Sequence, residues 1–259
     1  MSELNRAETV QAQYATSTNL NTRISIHDQY STNPLGFGNW IASQYQIEKG
    51  MNVLELGCGT GAIWQGRDDL IANCASLVLS GVSPGMLETA RKALKGYDTI
   101  AYKIVDIQDI PFADNSFDIV IANMMLYHVP DLKKGLAEVR RVLKAGGTFY
   151  CATYGENGIM PYLCALLRPW GAKYTPNRNF TLQNGAVILR EVFAEVRQLL
   201  YEDSLAVTHI EDIVDYIFSL PDIPGLHSIP RETILSVLSS NMENGVLNIP
   251  KEYGMFAAR

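Results

Sequence analysis

The residues best equipped for chemistry stand in one run, Val53-Leu54-Glu55-Leu56-Gly57-Cys58-Gly59-Thr60-Gly61, where an apolar stretch meets glycine at every second position. Glycine reaches positive φ at no steric cost and lets a ligand approach the backbone closely. A strand that empties into such a turn brings its amides to the carboxyl edge of a sheet, where open α/β proteins bind their ligands. Without a ligand, the same turn is a tight strand-to-helix connection. The spacing Gly-x-Gly-x-Gly is not the Gly-x-Gly-x-x-Gly of dinucleotide binders, and no Gly-Lys-Ser/Thr follows as a P-loop requires.

Further along, three more positions carry useful groups. Asp106, followed by Ile107, comes directly after an apolar run; it is either a ligand acceptor or a turn residue, a common use of aspartate there. Asn123 closes the run from Phe117, as a ligand-facing amide or as the end of a strand. His128, after Tyr127, has the side chain best suited to proton transfer near neutral pH, and would otherwise pack or cap ahead of Asp131. The four cysteines, Cys58, Cys74, Cys151 and Cys164, form no Cys-x-x-Cys pair and have no neighbouring histidine pair. No metal site and no disulfide framework is expected from them.

The elements that must position these groups alternate. Apolar runs at 52–56, 77–80, 99–105, 117–122 and 148–153 are separated by segments of helical period, the pattern of βαβ units and a parallel sheet. Ser83 caps a helix with Pro84 at its first position and Gly96 as its stop. Asp131 caps another, with Leu132, Leu136, Val139 and Leu143 on one face and Gly146 beyond its end. A helix is predicted over 182–193, a strand over 195–207 and a last strand over 253–258. The stretch 209–243 has helical spacing broken by a proline-rich segment. The expected organisation is a helical lid at 1–45, a core at 46–208 and 246–259, and a helical cap at 209–245, with 155–180 as a cap loop.

Composition narrows the partners. The chain has 259 residues, of which 47% are hydrophobic and 19% charged, and these values fit a globular protein with a sizeable core. A net charge of −6 without a basic cluster argues against a nucleic-acid partner. No stretch has the apolar length of a signal peptide or of a membrane span, so a cytoplasmic protein with no membrane partner is expected.

Taken in order, Gly57 to Gly61 (GCGTG), Ser83 to Leu87 (SPGML), Asp106 to Phe112 (DIQDIPF), Ser116 to Asn123 (SFDIVIAN) and Arg141 to Gly147 (RVLKAGG) resemble the motif series of the class I S-adenosylmethionine-dependent methyltransferases, in particular their small-molecule group. The resemblance covers about residues 50 to 155, with a looser likeness of the segment around residues 19–40 to the group's lid. It implies an α/β, Rossmann-like doubly wound sheet, mostly parallel with an antiparallel last strand. It also implies S-adenosylmethionine as cofactor and a small-molecule methyl acceptor. Carried over by position, Glu55, Gly57, Cys58, Gly59 and Gly61 would surround the methionine portion. Asp106 and Ile107 would sit by the adenine, Asn123 would face the reacting end, and His128 would be the candidate base.

One position departs from that pattern. The second strand of the family ends in an acid that takes both ribose hydroxyls, and here Gly81 stands there, between Ser80 and Val82. A hydrogen bond to a charged group is worth about 1.5–3 kcal/mol, so the loss weakens cofactor binding unless another group, such as the Ser80 hydroxyl, takes over. The alternative function is a catalytically silent binding protein that keeps the fold.

Overall fold

The computed structural model describes residues 17–220 and 223–259; the first part of the expected lid, residues 1–16, lies outside the described residues. Seven strands form one sheet: β1 (Met51–Leu56), β2 (Cys74–Gly81), β3 (Ile100–Ile104), β4 (Phe117–Ile121), β5 (Leu143–Tyr154), β6 (Val196–Val207) and β7 (Leu247–Ala258). Their order is β3-β2-β1-β4-β5-β7-β6. The first five run parallel, and β7 is antiparallel to both β5 and β6. Strand order reverses between β1 and β4, so the loops leaving their carboxyl ends diverge and open a crevice.

The helices follow from the same punctuation. α1 (Ser17–Tyr30) and α2 (Phe37–Ser43) precede the sheet, and α3 (Asp68–Asn73) joins β1 to β2. α4 (Pro84–Ala93) follows β2 and α5 (Leu132–Val142) follows β4. α6 (Ile159–Leu167) and α7 (Gly185–Arg190) lie between β5 and β6, and α8 (Ile210–Ser219) and α9 (Arg231–Ser240) between β6 and β7. Ser83 accepts from the Met86 amide and Asp131 from the Lys134 amide, as caps do.

Alternation along the central strands splits the core between the two sheet faces. Leu54, Leu56, Val78, Val120 and Phe149 pack with α5 and α7 on one side. Val53, Leu77, Leu79, Ile119 and Ile121 pack with α2, α3 and α4 on the other. A third apolar cluster joins α1, α6, α8 and α9 over the far ends of β6 and β7. Within it, Lys251 pairs with Asp203, both shut away from solvent, and also donates to Ser31 Oγ at 2.7 Å. Ser31 bridges Leu205, and the Thr32 amide donates to Ser204 O, so the segment after α1 is stitched to the outer strand β6.

Three expectations of detail are corrected. The helix over 182–193 is only Gly185–Arg190, flanked by turns. Gly146 does not follow a helix but lies inside β5, where its φ of 75° accompanies an irregular register against β4. The segment expected as a cap loop holds the helix α6. Among the described residues no helix is long and apolar enough to cross a membrane, and no cluster of His, Cys, Asp or Glu suits a metal ion.

Candidate functional site

Leaving β1, the chain turns through Gly57, Gly59 and Gly61, all at positive φ (73°, 56° and 73°), where other residues are strained. Their surroundings differ. A Cβ at Gly59 would meet nothing within 4 Å, whereas one at Gly61 would stand 3.0 Å from Leu94 Cδ1 and 3.2 Å from Ala90 Cβ. Gly61 is therefore where the turn packs on α4, and Gly59 faces open space. A Cβ at Gly57 would come 3.1 Å from Met125 Cγ, because Met124 takes a left-handed φ of 52° and the Met125 side chain folds over the turn.

Gly81 ends β2 beside this turn. Its φ is not left-handed, and a Cβ there would find only the Gly57 Cα, at an ordinary 3.7 Å. Gly59 and Gly81 thus leave bare backbone at the carboxyl edge of β1 and β2, while Gly57 lies under Met125. Ser80 does not replace the missing acid: its hydroxyl is fully buried and donates to Glu55 O at 2.7 Å, while Ser80 O accepts from the Cys58 amide at 2.8 Å. The Cys58 thiol, pushed up to about 12 by burial and the Glu55 carboxylate, stays protonated.

Glu55 points into the protein rather than across the turn. Trp64 Nε1 donates to its Oε2 at 2.7 Å and Asn123 Nδ2 to its Oε1 at 3.4 Å. Burial pushes the carboxyl up to about 7, against the lowering effect of those two donors. Asn123 Nδ2 also donates to Tyr45 Oη at 2.7 Å, while Asn123 Oδ1 is sealed from solvent without a partner. Such an acceptor is costly to leave unpaired.

The other expected residues are spread along the same edge. Asp106 is exposed, and its Oδ1 accepts from the Gln108 amide at 2.9 Å and from Gln108 Nε2 at 3.2 Å, the turn role open to it from the start. Ile107 is buried, its side chain against the site of Gly135 on α5, so only its backbone lies toward the edge. His128 packs on Tyr127 with ring centroids 4.5 Å apart, and Tyr127 on Tyr154 at 4.6 Å. Burial lowers the His128 pKa, and its Nδ1 has no partner. The fold therefore gathers Glu55, Gly57, Cys58, Gly59, Gly81 and Asn123, and sets Asp106 beyond the end of β3 and His128 beyond the end of β4. Tyr45, Trp64 and Met125 were not singled out by any spacing; only the folded chain brings them to the turn.

Comparison with known proteins adds a family to this geometry. Residues 54–151 match the profile described as a methyltransferase domain. The demethylmenaquinone methyltransferase of Clavibacter sepedonicus is 41% identical over 98 residues, 38% of this chain and 39% of that protein. The ubiquinone/menaquinone biosynthesis C-methyltransferase UbiE of Haemophilus ducreyi is 34% identical over 104 residues, 39% of this chain and 40% of that protein. The matches thus span about two fifths of these relatives' length. Among solved structures, YcgJ of Bacillus subtilis shares the fold with a TM-score of 0.55 at 17% identity, over 85% of this chain and 96% of that one. The [4+2]-cyclase SpnF shares it with a TM-score of 0.51 at 17% identity, over 86% and 79%. The glycine turn after β1 and the ordered segment around it, residues 54–151, thus match the methyltransferase domain family, whose members use S-adenosylmethionine.

Proposed function

We propose that this protein transfers a methyl group from S-adenosylmethionine to a small-molecule acceptor. The observation that carries the reading is the bare backbone of Gly59 and Gly81 beside the unpaired, buried Asn123 Oδ1. The first is a cradle that side chains would fill, and the second is an acceptor awaiting a donor; together they fit the adenosyl amino acid. When bound, the cofactor supplies an electrophilic methyl group on a sulfonium.

The protein's own residues then hold and align. The turn from Gly57 to Gly61, with Cys58 as a small uncharged side chain, would take the methionine portion, and Glu55 would supply negative charge behind it. Asp106 and the backbone of Ile107 would meet the adenine, and Asn123 the amino-acid end. In-line attack by an acceptor needs no protein nucleophile, because holding the two atoms close and aligned is most of the task. Where the acceptor must lose a proton, His128 is the base: its burial keeps it neutral near pH 7, with Nδ1 free to accept.

A small acceptor is supported by the relatives, named for methylating demethylmenaquinone and for ubiquinone and menaquinone biosynthesis, and by a net charge of −6 that disfavours nucleic acid. A phenolic or quinol ring is therefore the first acceptor class to try. The test is a thermal shift with S-adenosylmethionine and S-adenosylhomocysteine, followed by transfer of labelled methyl to a panel of such rings. A ligand at a hundred times its dissociation constant adds about 2.7 kcal/mol, a shift easily read. No shift at millimolar ligand sinks the proposal.

Gly81 favours a second reading, a binding protein on the same fold without methyl transfer, since the ribose loses its charged partner. Binding of S-adenosylhomocysteine with no methyl transfer to any acceptor tried would support it.

A further inference from the structure

The Asn123 amide has two ends, and the protein commits one of them. Its Nδ2 lies 2.7 Å from Tyr45 Oη and 3.4 Å from Glu55 Oε1, and Trp64 fixes that carboxylate from the other side at 2.7 Å. Once Glu55 is ionised, turning the amide over would set its carbonyl against that carboxylate, oxygen against oxygen. Oδ1 is thereby left as the only end available to a ligand, buried and without a partner. Tyr45 arrives from outside the motif series: it follows α2, is 6% exposed, and its ring is packed between Trp64 at 6.3 Å and Tyr150 at 5.3 Å. Its hydroxyl cannot drift from the amide it accepts from.

We infer that Tyr45 is a positioning residue of this site, holding Asn123 so that Oδ1 accepts from the ammonium group of an adenosyl amino acid. The inference rests on the cofactor reading above and adds the ligand atom and the residue that orients its acceptor. Sheet geometry supports the assignment. Asp106 follows β3 and Asn123 follows β4, three strand spacings apart in the order β3-β2-β1-β4, or about 14 Å. A ligand with adenine at the first lies across the glycine turn and delivers its other end to the second. Of the groups at that end, only the ammonium donates hydrogen bonds, and the neighbouring Glu55 carboxylate favours a cation.

Calorimetric titration with two probes tests this. S-Adenosylhomocysteine carries the ammonium, and 5′-methylthioadenosine keeps adenosine and sulfur but lacks the amino-acid portion. Tyr45→Phe keeps the ring between Trp64 and Tyr150, and should weaken S-adenosylhomocysteine about tenfold, the worth of one such hydrogen bond, while leaving 5′-methylthioadenosine within about twofold. Asn123→Ala, which removes the acceptor itself, should show the same selective loss and serves if Tyr45→Phe does not fold. Equal weakening of both probes, or none, overturns the role of Tyr45 while the cofactor reading stands. Wild-type protein that binds neither probe overturns both.

Discussion

Trp64 gives its indole N–H to Glu55 Oε2 at 2.7 Å in a place where the indole is 0% and the glutamate 2% exposed. The carboxyl is raised from 4.5 to about 7, chiefly by burial, while the unfolded chain keeps the ordinary value. Between those values the folded protein holds a proton that the unfolded chain has released. The resulting stability is fully present below pH 4.5 and is lost as pH rises through 7. At about 1.4 kcal/mol per unit the difference is on the order of 3 kcal/mol. Glu55→Gln keeps an acceptor for Trp64 and has no charge to bury, so it should be more stable than wild type at pH 8 and lose that advantage at pH 5. Denaturant unfolding at both pH values checks this; parallel pH profiles would falsify it.

The same carboxyl links ligand affinity to pH. A cation bound beside Glu55 favours its ionised form, so binding of S-adenosylhomocysteine should release a proton and tighten from pH 6 to pH 8. The other groups around Glu55 are Tyr45, Cys58, Trp64 and Asn123; the tyrosine and the thiol are both raised far above neutrality, which leaves Glu55 as the titrating member. Calorimetry in buffers of different ionisation enthalpy measures the proton directly, and uptake instead of release would reverse the argument.

Alanine at two glycines of the turn should separate binding from packing. Both sites have positive φ, which costs a non-glycine residue about 1–2 kcal/mol. At Gly61 the new methyl group also presses on Leu94 and Ala90, adding about 1–3 kcal/mol. Gly61→Ala should therefore show the larger fall in unfolding midpoint, and Gly59→Ala the larger loss of S-adenosylhomocysteine affinity relative to its fall in stability. A reversed order in the paired measurements would mean that the turn faces the other way.

Gly81→Asp should tighten S-adenosylmethionine or S-adenosylhomocysteine at least about tenfold, by restoring charged hydrogen bonds to the ribose. The backbone accepts the change, since φ is not left-handed and the nearest atom to a Cβ is the Gly57 Cα at 3.7 Å. Unchanged or weaker affinity in calorimetry would show that the ribose lies elsewhere.

His128→Gln should lower kcat about 10²-fold or more for an acceptor that must lose a proton, while S-adenosylhomocysteine affinity stays within about twofold. Unaltered turnover would leave alignment alone as the source of catalysis.

The sheet was largely legible because β1, β2 and β4 are buried Val, Ile and Leu runs with turn residues between them. What was misread has local causes. Pro250 makes the first half of β7 look like loop, but residues 247–252 pair only with β6, and the other flank of Pro250 needs no donor. Pro161 hides α6 in the same manner, since it falls in the first turn, where helix N–H groups are unpaired in any case. Gly147 resembles part of a helix stop, yet it lies in β5 with no room for a side chain: a Cβ would stand 2.9 Å from Asp118 O. Within the site, the glycine turn and Asn123 announce themselves by spacing. Tyr45 does not, because its place is set by contact with Asn123, 78 positions along the chain.

The stitching of Ser31 and Thr32 onto β6 reaches beyond the rim of the sheet. From that anchor the chain runs through α2, whose flank sets Phe37 and Trp40 against Tyr201, and arrives at Tyr45 within fifteen residues. The segment is fastened at both ends, at the Asp203–Lys251 pair through Ser31 and at the Asn123 amide through Tyr45. The outermost strand and the candidate site are thus joined by one short covalent path as well as by the sheet.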